Sequence, residues 1–83
     1  MTTDDMQMRI QKVFGDVFGR RVPFSPSLSR LNEPSWSSLK HVEFIVGLER
    51  EFGVRFDGAD ATDMTSISAV ATRLWERLKS EPR

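Results

Sequence analysis

The chain has no cysteine, no tyrosine and a single histidine among its 83 residues. Without cysteine there is no disulfide framework, no thiolate metal site and no thiol nucleophile, so any thiol chemistry has to be imported. A lone His41, with Asp and Glu scattered along the chain, argues against an all-protein zinc site or a calcium loop. Charge of one sign is missing too: 12 Lys+Arg balance 12 Asp+Glu, so no basic stripe for nucleic acid is expected. The longest apolar run, Phe44 to Leu48 with Gly47 inside it, is far short of the roughly 20 residues of a membrane span. The first residues, MTTDDMQMRIQK, carry acids where an export signal needs basic residues and lack a continuous apolar stretch. The expected compartment is therefore the cytoplasm, with no membrane partner.

What is present describes one small globular domain over residues 1–83, with 39% hydrophobic residues. A chain of this length hides only about 60% of its unfolded surface, leaving little room for a deep pocket ringed by catalytic groups. A self-contained enzyme is not expected, and no base or oxyanion donor can be paired to Ser38 from the sequence.

Hydrophobic periodicity predicts helices. Met6, Ile10, Val13, Phe14, Val17 and Phe18 recur at steps of three and four, one buried face of a first helix. Thr2 or Thr3 can cap it, Asp4 and Asp5 complement its positive end, and Gly19 can end it in the left-handed conformation. Met8 counts with Met6 as core filling. Residues 20–35, with Pro23, Pro26 and Pro34, form a long connection, either disordered or tacked across the bundle by Phe24, Leu28 and Leu31; tacking is the favoured reading.

A second helix is expected from the N-cap Ser37 through Phe52 to Gly53. At 100° per residue from Leu39, Phe44, Ile45, Leu48 and Phe52 fall at about 140° to 240°, while Leu39, Val42 and Val46 fall at about 0°, 300° and 340°. The helix thus carries two apolar stripes. Either it is buried nearly all round, or the second stripe is an exposed docking patch. His41, at about 200°, lies on the core side, packed and hydrogen-bonded or lining a space for a ligand.

Asp57 to Asp63 suits a short helical turn. Thr65 and Ser66 then cap a last helix in which Ile67, Val70, Ala71, Leu74, Trp75 and Leu78 face inward and Arg73, Glu76, Arg77 and Lys79 face water, with Pro82 as its stop. The fold class is all-α: a small bundle of three main helices and one short helix, with a long first loop.

The stretch Trp36-Ser37-Ser38-Leu39, with Val42-Glu43-Phe44 and Leu48-Glu49-Arg50-Glu51-Phe52-Gly53, resembles the acyl carrier proteins. That family opens its second helix with Asp-Ser-Leu, continues with a Val-Glu-Leu-like step and ends it with Leu-Glu-x-Glu-Phe-Gly; Thr65-Ser66-Ile67 is similar to the start of its last helix. The likeness runs without a gap from Trp36 to about Leu78, roughly half the chain. It implies that Ser38 is the attachment point for covalent 4′-phosphopantetheine, delivered from coenzyme A by a magnesium-dependent phosphopantetheinyl transferase. The same likeness implies a monomeric, non-catalytic carrier that holds an acyl or related intermediate as a thioester for acyl-loading and acyl-processing enzymes. A specialised pathway of polyketide, fatty-acid-like or secondary-metabolite type fits the Trp before the motif. Leu39, Val42 and Val46, flanked by Glu43 and Glu49, resemble the surface by which carriers dock on partner enzymes. From Lys40 to Asp63 three bases stand against six acids, a mild acidic bias within a neutral chain. The sequence departs from the family at Ser37, where the motif has Asp, so it offers no carboxylate to a transferase or its metal. That departure keeps a second reading open: an unmodified carrier-like scaffold or regulatory module acting through Leu39, Val42 and Val46.

Overall fold

The computed structural model describes residues 2–19 and 22–80; Met1, Arg20, Arg21 and residues 81–83, with the helix stop expected at Pro82, lie outside them. Four helices follow in order: α1 (Thr3–Phe18), α2 (Ser38–Phe52), α3 (Gly58–Asp63) and α4 (Ile67–Ser80), with no strand among the described residues.

Each helix starts on a side chain that satisfies an otherwise unpaired amide of the first turn. Thr2 Oγ1 accepts from the Asp5 amide at 3.1 Å, Ser37 Oγ from Lys40 at 3.2 Å, and Ser66 Oγ from Ala69 at 3.0 Å. Asp57 and Asp60 cap α3 reciprocally: the Asp60 amide donates to Asp57 Oδ1 at 2.8 Å and the Asp57 amide to Asp60 Oδ2 at 3.2 Å. Gly53 ends α2 in the left-handed region at φ 67°, ψ 35°, its amide donating to the Glu49 carbonyl. Gly19 also takes a positive φ of 84°, but its ψ of 169° carries the chain away extended instead of in the expected left-handed turn.

Helices α1 and α2 are antiparallel neighbours, because contacts join residue 9 to 51, 13 to 47, 14 to 44 and 17 to 40. Gly47 sits at their closest approach: a Cβ there would lie 2.8 Å from Val13 Cγ1. The core between α1, α2 and α4 is built on Ile10, Phe14, Phe44, Leu48, Met64, Ile67, Val70 and Leu74, all at 1% exposure or less. The α2 stripe expected to face it, Phe44, Ile45, Leu48 and Phe52, is buried throughout. Met64 and Val54, on the short connections around α3, are buried too, although no periodicity marked them.

Three apolar residues behave differently from their expectation. Met8 is exposed, since two residues from both Met6 and Ile10 put it about 200° round the helix from each. Trp75 is half-exposed at about 80° from Ile67, the edge of a stripe that Ile67, Val70 and Leu74 fill. Leu31 is fully exposed. The first loop is nevertheless tacked down, by Phe24 and Leu28 as expected and by Trp36 in place of Leu31. Trp36 is 3% exposed and packs edge-on against Phe18 and Phe44 at ring distances of 5.5 and 5.7 Å. Burial of a side chain this large is worth about 3 kcal/mol. A short antiparallel bridge adds to it: the Arg30 amide donates to the Thr65 carbonyl and the Ile67 amide to the Leu28 carbonyl, both at 2.9 Å. The second of these pairs a first-turn amide of α4 that no residue of that helix can reach. The chain has a Cα radius of gyration of 11.9 Å, against about 11.8 Å for a compact body of this length. Among the described residues no helix is long and apolar enough to cross a membrane.

Candidate functional site

Ser38 is the first residue of α2, immediately after its cap, and its side chain is exposed. Its hydroxyl oxygen accepts a hydrogen bond from Arg30 Nη2 at 3.3 Å. Ser37 is also exposed, but its oxygen is taken up by the Lys40 amide, so the two adjacent hydroxyls have different work.

Beneath the serines the helix start is braced from inside. The Trp36 indole N–H donates to His41 Nδ1 at 3.0 Å, and His41 Nε2 lies 2.8 Å from the Ala61 carbonyl. With Nδ1 accepting, the ring proton belongs on Nε2, which donates to Ala61; both nitrogens are used and the ring is buried. His41 therefore packs and bonds, joining the first loop, α2 and α3, with neither nitrogen left for a ligand. Counted from the cap, Trp36 and His41 hold the two positions of a hydrophobic staple. That spacing is a signal in the sequence that marks Trp36 as core.

Leu39, Val42 and Val46 are 67%, 57% and 39% exposed, so the second stripe of α2 faces out along the helix that begins at Ser38. Its acidic flanks are engaged within the chain. Glu43 pairs with Lys40 at 3.4 Å, and the same Lys40 ammonium donates to the Val17 carbonyl near the end of α1. Glu49 is partly buried and accepts from the Phe56 amide at 2.8 Å, holding the turn after α2. At that end of the stripe Val46, Glu49, Arg50, Gly53, Val54 and Arg55 line a cleft of about 400 Å³.

The other acids of the 40–63 segment are spent in the same way. Glu51 is held by Arg9 at 2.8 Å and Lys12 at 3.2 Å; hydrogen bonds from Arg9, then Lys12, keep its carboxyl below the ordinary range against the opposing effect of burial. Asp60 is 5% exposed and pairs with Arg77 and with Arg73 at 3.4 Å. Burial opposes its ionisation, but the Asp57 amide and the charges of Arg77 and Arg73 outweigh it, so its carboxyl also lies below the ordinary range. Asp57 and Asp63 pair with Arg77 and Arg73 in turn. The arginines read as facing water are thus only about one-third exposed and clamp α3 to α4.

Arg30 was not legible as a site residue, because only the loop's docking onto Thr65 brings its guanidinium back to residue 38. Among the described residues no group of three or more His, Asp or Glu side chains converges to hold a metal ion. No protein-family model matches the chain, and no curated protein matches it.

Proposed function

We propose that this chain is a carrier protein of the acyl-carrier type, non-catalytic in itself, whose Ser38 bears 4′-phosphopantetheine and presents a tethered acyl or related intermediate to partner enzymes. The observation that carries the reading is the exposed Ser38 hydroxyl at the first turn of a helix in a four-helix bundle. The geometry suits the group: a hydroxyl that projects from a helix start is accessible to a transferase, and the unpaired amides and partial positive charge there favour a phosphodiester. When attached, the arm supplies the terminal thiol that the cysteine-free chain lacks.

The chain's own residues do the rest. Ser37 fixes the helix start by capping it, and the Trp36–His41 brace keeps that start from moving relative to α3. The outward Leu39, Val42 and Val46 give a partner an apolar contact beside the attachment point. Tethering raises the effective concentration of a carried substrate at each partner's active site. Glu43 and Glu49 are engaged with Lys40 and the Phe56 amide, so docking on this face rests chiefly on the aliphatic stripe.

Incubation with coenzyme A, magnesium and a broad-specificity phosphopantetheinyl transferase, read by intact mass, tests the reading. One phosphopantetheine should be gained by the wild type and none by Ser38→Ala. The Ser37 departure favours the unmodified scaffold as the competing reading; absence of any gain, even with Ser37→Asp, would decide for it.

A further inference from the structure

Among the described basic residues, Arg30 is the one whose side chain bonds the Ser38 hydroxyl. Its backbone is pinned by the hydrogen bond that its amide donates to the Thr65 carbonyl, and its neighbours Leu28 and Ser29 are fixed by the same bridge to the start of α4. Its guanidinium reaches back over eight residues to Ser38 Oγ. The nearest acid along the loop, Glu33, is engaged elsewhere: its Oε2 accepts from the Ser35 hydroxyl at 2.6 Å and the Ser35 amide at 3.0 Å, bonds that hold its carboxyl below the ordinary range. Among the described residues Arg30 has no acidic partner, like Arg50 and Arg55 and unlike the ion-paired Arg9, Arg73 and Arg77, but it is Arg30 whose side chain reaches Ser38. A cation held at a nucleophilic oxygen and left without a carboxylate is placed to meet an incoming phosphate, for which a forked guanidinium is well shaped.

We infer that Arg30 is a positioning residue for phosphoryl transfer to Ser38, holding the hydroxyl in the acceptor geometry and then donating to the phosphate oxygens on that residue. The inference rests on the carrier reading above. In the step, a lone pair of Ser38 Oγ forms the new O–P bond to the pantetheine-bearing phosphorus of coenzyme A. The diphosphate P–O bond breaks, its electron pair leaves with adenosine 3′,5′-bisphosphate, and the hydroxyl proton passes to a base of the transferase. Arg30 donates to Oγ without taking its proton, so a lone pair remains for attack. The negative charge that gathers on the phosphate then meets the guanidinium. With the uncharged Ser37 beside the motif, Arg30 also makes the immediate setting of Ser38 cationic.

The test is the attachment reaction followed by intact mass over time, with wild type, Arg30→Ala and Arg30→Lys, each checked for an unchanged helical melt. Arg30→Ala should lower kcat for attachment about fivefold to tenfold, the size of one exposed charge-assisted hydrogen bond, with KM for the carrier little changed. Arg30→Lys should recover part of that loss. A second readout needs no variant: in ¹⁵N-labelled wild type the Arg30 Nε–H resonance should shift when the arm is attached. Equal rates for wild type and Arg30→Ala, a loss confined to KM, or a stationary Arg30 resonance would each overturn the positioning role while leaving the carrier reading intact. If wild type and Ser37→Asp both gain no mass, the carrier reading itself fails and the role of Arg30 with it.

Discussion

At the C-terminal end of α2 and across α3 to α4, every acid is committed: Glu49 to the Phe56 amide, Glu51 to Arg9 and Lys12, Asp57, Asp60 and Asp63 to Arg73 and Arg77. At the N-terminal end Lys40 and Glu43 pair with each other, but Leu39 and Val42 face out uncovered, and Ser38 carries one contact from Arg30. A small core is marginal, and this one is supplemented by ion pairs and caps at the C-terminal end of α2 and between α3 and α4. The charge that a simple count assigns to a docking face is for the most part structural. What remains for partners is an aliphatic stripe and a hydroxyl, held from beneath by Trp36 and His41.

Breaking the tied region should have the larger effect on folding. Asp60→Ala leaves Arg73 and Arg77 without their buried partner and removes the α3 capping box, so it should cost about 2–3 kcal/mol in chemical denaturation. The acid response sharpens the point. The folded carboxyls of Asp60 and Glu51 lie below their unfolded values, so their stabilisation is complete above the ordinary carboxylate range, about pH 4. It is lost as pH falls through the lowered folded values. The wild type should therefore lose stability as pH falls below about 4, and Asp60→Ala should lose less over the same window. A wild-type denaturation midpoint that stays level down to pH 2 would contradict this.

Glu51→Gln gives up an ion pair whose basic partners are themselves more than one-third exposed, and it keeps a hydrogen-bond acceptor for Arg9. Its cost should be within about 1 kcal/mol and should shrink in high salt. On the open side, Val42→Asp should change stability by no more than about 0.5 kcal/mol while weakening capture by a partner enzyme, measured by titration of the two proteins. If instead its melt collapses, Val42 is part of the core and the contrast between the two ends of α2 is wrong.

The helices and their caps were legible because they rest on local rules. Thr2, Ser37, Ser66 and Gly53 act within three or four residues of where they stand, and the α2 core stripe follows from the helical repeat. The outward direction of Leu39, Val42 and Val46 followed from the same repeat, although whether a neighbour covered them did not. Leu31 was expected as a loop anchor and is exposed, because residues 22–36 have no period to project, while the buried Trp36 was marked only by its staple spacing to His41. The roles of Glu49, Arg73 and Arg77 were hidden for a related reason: a charged residue looks solvated until its partner on another element is known.

By itself, then, the sequence determined an all-helical chain, the starts of its helices, the buried side of α2 and a serine at that helix's first turn, since each depends on neighbours along the chain. Only the tertiary structure decided that Arg30 returns to Ser38, that His41 is locked between Trp36 and Ala61, and that the acids of the 40–63 segment are spent internally. Those contacts span elements whose approach is set by how the core packs, and no local pattern encodes that.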